Sequence, residues 1–138
     1  MIVDDLMSKT LVTVGPDDNL WMVKQLFEEK GFHHLVVINE DKLVGIVSDR
    51  DYFKAVSPRI DTATESAQDT DTLNKSVQKI MTSKVITLPP KTDVYEAIDI
   101  FNTHKISCIP IVDSDQRPLG IVSWRDILRM VAKTRKKK

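Results

Sequence analysis

Apolar residues along the chain fall into two regimes, short β-branched runs and longer stripes at helical spacing, and the same succession occurs twice. Leu11 to Val14 and Val85 to Leu88 are brief runs closed by proline, expected as strands entering a turn. A helix follows in each case. Val94, Ala97, Ile98 and Phe101 recur at i, i+3, i+4 and i+7, and Leu20, Val23 and Phe27 repeat that stripe in the earlier segment. Asp18 and Thr92 are the expected N-caps; Gly31 supplies a C-terminal stop, where the later segment has Lys105. Leu35 to Ile38 and Ile109 to Val112 are expected as buried strands. Turns at Glu40-Asp41 and Asp115-Gln116 lead from them into strands Leu43 to Ser48 and Leu119 to Ser123. A second helix begins near Asp49 or Trp124, carrying Tyr52, Phe53 and Val56 in one case and Ile127, Leu128 and Val131 in the other.

The two successions are copies. Met7 aligns with Met81, Thr13 with Thr87, Pro16 with Pro90 and Phe27 with Phe101, all at an offset of 74. Gly45 aligns with Gly120 at an offset of 75, which puts one extra residue in a turn of the second copy. The strings GIVSDRD and GIVSWRD differ at one position. Such agreement indicates duplication. The predicted fold class is therefore mixed α/β, of the α+β kind: two β-α-β-β-α repeats, each a small sheet with helices over one face. One repeat holds too little core to stand alone, so the two are expected to pack together with pseudo-two-fold symmetry. Residues 1–56 form the first repeat, 57–76 a polar linker with a helical turn near Leu73, 77–132 the second repeat and 133–138 a basic C-terminal tail.

Composition narrows the function classes. The 138 residues carry 41% hydrophobic and 29% charged side chains, in the range of an ordinary globular domain, and no formal net charge. Neutrality argues against a surface built to hold nucleic acid. The N-terminus has acidic residues where a secretory signal needs basic ones, and no apolar run approaches the length of a membrane span. Cys108 is the single cysteine, which excludes an internal disulfide and fits a reducing compartment; a cytoplasmic location is expected.

Candidate chemistry gathers at the starts of the second helices. Ser48 with Asp51, and Ser123 with Asp126, place a serine at a strand end and a carboxylate in the first helical turn. A helix N-terminus attracts phosphate, and an ionised carboxylate accepts hydrogen bonds from both hydroxyls of a ribose. The same Ser-x-x-Asp spacing is a capping box, in which the two side chains satisfy each other's backbone amides. Arg50 and Arg125 stand beside the aspartates, placed either for phosphate or for a neighbouring carboxylate. His33 and His34 lack the cysteine or acidic neighbours of a zinc site, so no metal is expected; their alternative is surface packing. No catalytic group has an evident activating neighbour, Cys108 included, and no enzymatic activity is expected. Trp21 and Trp124 are expected as packing residues.

The repeated pattern resembles the tandem cystathionine-β-synthase (CBS) domain pair, or Bateman module. The likeness rests on MSKTLVTVGP and MTSKVITLPP, on GFHHLVVI and KISCIPIV, and on the two GIVSxRD strings, and the chain also resembles the short stand-alone bacterial pairs. The resemblance implies clefts between the repeats, assembly into a flat homodimer, and a regulatory role in sensing AMP, ADP, ATP or S-adenosylmethionine, with the signal passed to a separate protein partner and no further cofactor. It assigns ribose to Asp51 and Asp126, with Ser48 and Ser123 near ribose or phosphate. It sets His33 and His34 near the phosphates, with Ser107 and Cys108 in their place in the second copy, and Thr10 and Lys84 beside the adenine or ribose. Because family sites combine both repeats, it groups the histidines with Asp126. A dimeric scaffold with no physiological ligand is the competing reading.

Overall fold

Thr13–Val14 (β1) runs parallel to His34–Asn39 (β2), which pairs antiparallel with Lys42–Ser48 (β3) through the two-residue turn Glu40-Asp41. Both turn residues are left-handed, at φ 51° and 66°, the backbone that lets a two-residue hairpin follow the twist of its strands. The helix Leu20–Lys30 (α1) crosses between β1 and β2, and Asp49–Ala55 (α2) follows β3 directly. These elements lie in one compact unit, Val12–Lys84, of the computed structural model, which describes residues 1–136. The other unit joins Met1–Leu11 to the chain from Val85 onward.

In the Val12–Lys84 unit the α1 stripe behaves as the spacing requires: Leu20 and Val23 are fully buried, and Phe27 packs at the edge of the same core. The N-cap is Asn19 and not Asp18; its side chain accepts from the Met22 amide, while Asp18 accepts from the Gly15 amide at 2.7 Å and holds the preceding turn. Gly31, at φ 66°, ends the helix as expected. The polar stretch after α2 is built into this unit. Ala67–Asp71 (α3) is capped by Ser66 and Asp69, Leu73 and Val77 are fully buried, and the Leu20 amide donates to the Lys75 carbonyl at 3.0 Å. The core thus takes Leu73 from a stretch with no apolar period and Val77 from the first position of the expected second repeat.

The second unit holds Val94–Thr103 (α4), Cys108–Val112 (β4), Pro118–Ser123 (β5) and Trp124–Lys136 (α5). Val3, Ala97, Ile109, Ile111 and Val122 form its buried centre. The N-cap of α4 is Asp93, which accepts from the Tyr95 amide, and not Thr92, whose hydroxyl donates to the Pro89 carbonyl. The expected strand Val85 to Leu88 is reduced to a single parallel bridge between Leu88 and Ile111. A proline explains the loss. In the first copy the Val36 amide donates to the Val12 carbonyl; Pro110 occupies the matching position and has no N–H to give. Residues Lys137 and Lys138 of the expected basic tail lie outside the described residues, and the remainder of that tail continues α5.

The segment leading into each copy packs on the hairpin of the other copy. Ser8 exchanges backbone hydrogen bonds with Ile121 at 2.9 and 3.0 Å, and Thr82 exchanges them with Ile46 at 2.9 and 3.0 Å. Each crossing strand passes over a glycine. A Cβ on Gly120 would stand 2.5 Å from Met7 Sδ and 2.8 Å from the Ser8 carbonyl oxygen; one on Gly45 would stand 2.5 Å from Met81 Sδ and 3.1 Å from the Thr82 oxygen. The glycine of GIVSxRD therefore makes room for a neighbouring backbone. Trp21 and Trp124, expected as packing residues, are 41% and 51% exposed; Trp21 Nε1 donates to Asn74 Oδ1, which holds the ring at the surface.

Candidate functional site

The sharpest sequence constellation forms a reciprocal cap in both copies. Ser48 ends β3 in extended geometry, its Oγ accepts from the Asp51 amide at 3.1 Å, and Asp51 Oδ2 accepts from the Ser48 amide at 2.9 Å. At the start of α5 the Asp126 amide donates to Ser123 Oγ at 3.3 Å, and the Ser123 amide donates to Asp126 Oδ2 at 2.8 Å. The physical reason is local: the first turn of a helix has amides with no partner in the helix, and an acid three residues after the cap reaches back to one of them. Each carboxylate is turned back onto its own helix start. One oxygen of each aspartate is committed to the cap. Oδ1 remains: no hydrogen bond reaches it in Asp51 among the described residues, and in Asp126 it lies 3.5 Å from Arg129 Nη1. The cap also fixes the carboxylate's direction, so Oδ1 is held in place without cost to a ligand.

The hairpins bring the other candidates beside these caps. His34 stands directly opposite Ser48 across β2 and β3, and Cys108 opposite Ser123 across β4 and β5. Residues so opposed share a face of the sheet. The His33 carbonyl accepts from the Asp49 amide, and the Ser107 carbonyl from the Trp124 amide, so each residue is tied to the start of the following helix. His33 Nδ1 lies 2.9 Å from Asp49 Oδ2 with a side chain 69% exposed. His34 is half-buried, and burial holds its pKa below the usual imidazole value. The Cys108 thiol is pushed up to about 12 by burial, so it stays protonated and inert as a nucleophile. His33, His34, Ser48, Arg50, Asp51 and Lys84 belong to the Val12–Lys84 unit; Thr10, Ser107, Cys108, Ser123, Arg125 and Asp126 belong to the other.

Arg50, Arg125, Thr10 and Lys84 are exposed, and none of their side chains has a hydrogen bond or ion pair among the described residues. Nor do the described residues hold a cluster of three or more histidine, cysteine or acidic side chains fit for a metal. A groove of about 310 Å³ includes Asp126 in its lining, together with Arg129 and Lys133. Those two cations were not singled out in the sequence, although they stand three and seven residues after Asp126, the spacing of one helical face.

Both copies match the CBS domain family model, at residues 3–58 and 77–133. The chain belongs to the CBS domain family. Inosine-5'-monophosphate dehydrogenase of Methanocaldococcus jannaschii is 32% identical over 127 residues, covering 91% of this chain and 23% of that protein. This chain spans less than half the length of the first curated relatives it matches. Two solved CBS-pair structures are similar along nearly their whole length. The CBS domain pair of protein MJ0100, in complex with 5'-methylthioadenosine and S-adenosyl-L-methionine, is 27% identical with a TM-score of 0.80, covering 97% of this chain and 98% of that one. CBSX2 in complex with AMP is 25% identical with a TM-score of 0.81, at the same coverage. No helix among the described residues is long and apolar enough to cross a membrane.

Proposed function

We propose that this CBS pair is a non-enzymatic regulatory module that binds an adenosine compound, AMP, ADP, ATP or S-adenosylmethionine, and passes the signal as a cytoplasmic homodimer to a separate protein partner. The observation that carries the reading is that two relatives matched end to end hold AMP in one case and 5'-methylthioadenosine with S-adenosylmethionine in the other. All of these ligands share the adenosine ribose, and Asp51 and Asp126 each present one oriented carboxylate oxygen that accepts from a diol. For a signal, the ligand must bind one arrangement of the module better than another.

A thermal-shift panel over the four ligands tests this. A ligand at a hundred times its Kd adds about 2.7 kcal/mol of stability. Stabilisation by at least one of them, mostly lost in Asp126→Asn, is the expected result. Asparagine is the informative substitution because its side-chain oxygen still caps the Ser123 amide, whereas alanine would remove cap and ligand contact together. A flat panel overturns the sensor and favours a second reading, the dimeric scaffold. That reading draws on the exposed apolar residues Phe53, Tyr95, Trp124, Leu128 and Val131, which a partner surface would cover.

A further inference from the structure

We propose that the groove between α1, the last turn of α2 and the turn at residues 57–61 binds a small organic monocation, a primary amine carried on an aromatic or aliphatic body. The groove lies wholly within the Val12–Lys84 unit and has a volume of about 410 Å³, a size suited to a small molecule. None of the residues that form the two serine–aspartate caps lines it.

Much of its lining is apolar, from Phe27, Tyr52, Val56, Ile60 and the exposed Phe53. Phe27 and Phe53 each stand edge-to-face with Tyr52, at centroid distances of 6.0 and 5.3 Å. A group of rings attracts a cation to its π-faces. Tyr52 is only 5% exposed, yet its hydroxyl makes no hydrogen bond among the described residues. No side-chain polar atom sealed from solvent lacks a partner among those residues, so this hydroxyl opens onto the groove that the ring lines. Burial raises the phenol above its usual value; it stays neutral and keeps a donor and an acceptor for a ligand.

Charge on the lining is unbalanced. Lys24 is the one cation among the described lining residues, and its largely buried ammonium lies 3.0 Å from both Glu28 Oε1 and Asp61 Oδ2. Both carboxylates are more than half exposed, and no other partner reaches either among the described residues. Asp61 is set there by a left-handed φ of 64°, with its amide donating to Glu65 Oε1 at 2.7 Å. Two acids against one base leave a negative charge that a single ammonium neutralises. An amine seated among the carboxylates and the Tyr52 hydroxyl lays its apolar body against the rings.

The second copy has no such site. Lys24, Glu28, Tyr52 and Phe53 correspond to Ile98, Asn102, Ile127 and Leu128, and where the first copy turns at 57–61, α5 continues to Lys136. The charges and the ring group thus belong to the first copy alone and are not required by the fold that the copies share.

Amide NMR titration of the nitrogen-labelled full chain at low salt tests this, with phenethylamine, phenethyl alcohol and phenylacetate as probes: similar bodies with a cationic, a neutral and an anionic head. The amine is expected to shift amides of α1, α2 and residues 57–61. It should bind at least about tenfold more tightly than the alcohol, the scale of charge-assisted contacts at a partly exposed site. Tyr52→Phe should weaken the amine by about threefold to tenfold while keeping the ring. Glu28→Gln/Asp61→Asn leaves Lys24 as the net charge, and asparagine tolerates the left-handed backbone, so the preference should turn toward phenylacetate. Absence of shifts with the amine, equal affinity for amine and alcohol, or an unchanged preference in the double variant overturns the inference. So do lining amides that move with protein concentration and not with the amine, the sign of a second copy covering the groove.

Discussion

Alanine at Gly120 should cost the protein more than alanine at Gly45, although both glycines sit in the same duplicated string. Neither glycine has a left-handed φ, so backbone conformation admits alanine at both positions and sterics alone decide. At Gly45 the new methyl meets Met81 Sδ at 2.5 Å and Cγ at 3.0 Å, the far end of a flexible side chain, with the Thr82 oxygen tolerable at 3.1 Å. At Gly120 the methyl meets Met7 in the same way, but also the Ser8 carbonyl oxygen at 2.8 Å. That carbonyl accepts from the Ile121 amide at 3.0 Å and cannot retreat without lengthening the bond. Overpacking costs about 1–3 kcal/mol, and a strained hydrogen bond adds about 0.5–1.5 kcal/mol. Gly45→Ala should therefore lose about 1 kcal/mol and Gly120→Ala about 2–3 kcal/mol. With a urea m-value of about 2 kcal/mol/M, the denaturation midpoint falls by about 0.5 M and 1–1.5 M respectively. Met81→Ala should rescue Gly45→Ala, whereas Met7→Ala should rescue Gly120→Ala only in part. Equal midpoints for the two glycine variants, or full rescue by Met7→Ala, would refute the reasoning that the crossing backbone sets the requirement.

Three other outcomes are expected. Ser48→Ala should destabilise the protein by about 1 kcal/mol, because α2 is short and loses the acceptor for its Asp51 amide; the urea midpoint reads this. His34 has a folded-state pKa below its unfolded value, so the unfolded chain takes up its proton first. The protein should lose stability as pH falls below about 6.5, and His34→Gln should flatten that part of a Tm profile between pH 7.5 and 5; an unaltered slope counts against burial as the cause. Cys108, with its thiol at about 12, should resist iodoacetamide at pH 8 in the folded protein and react once urea unfolds it, as mass spectrometry would record.

Much of the site was visible in the residues and its bonding was not. Ser-x-x-Asp identified the four side chains at the helix starts, and it equally described a capping box; distance had to choose, and it shows the cap formed in both copies. His34 and Cys108 arrive opposite the two serines because hairpin register carries them there, which the matching turns already implied. Arg129 and Lys133 were overlooked because a basic helix end has an ordinary explanation in solvation, and only the groove distinguishes them from it. The shortened strand at Leu88 was foreshadowed by Pro110, whose missing N–H mattered once its neighbour was known.

The helical stripes, the hairpins and the tight turns were determined by the chain itself, since each depends on residues within a few positions of one another, and the duplication is legible because the same local pattern returns 74 residues on. The partners of the leading segments were decided only in three dimensions. Nothing local to Met7 or Met81 says which glycine each will cover, nor that Leu73, in a polar stretch, will close the core of the copy before it. Periodicity records which face of an element seeks burial; what that face meets depends on chain brought back from far along the sequence, and packing alone selects it.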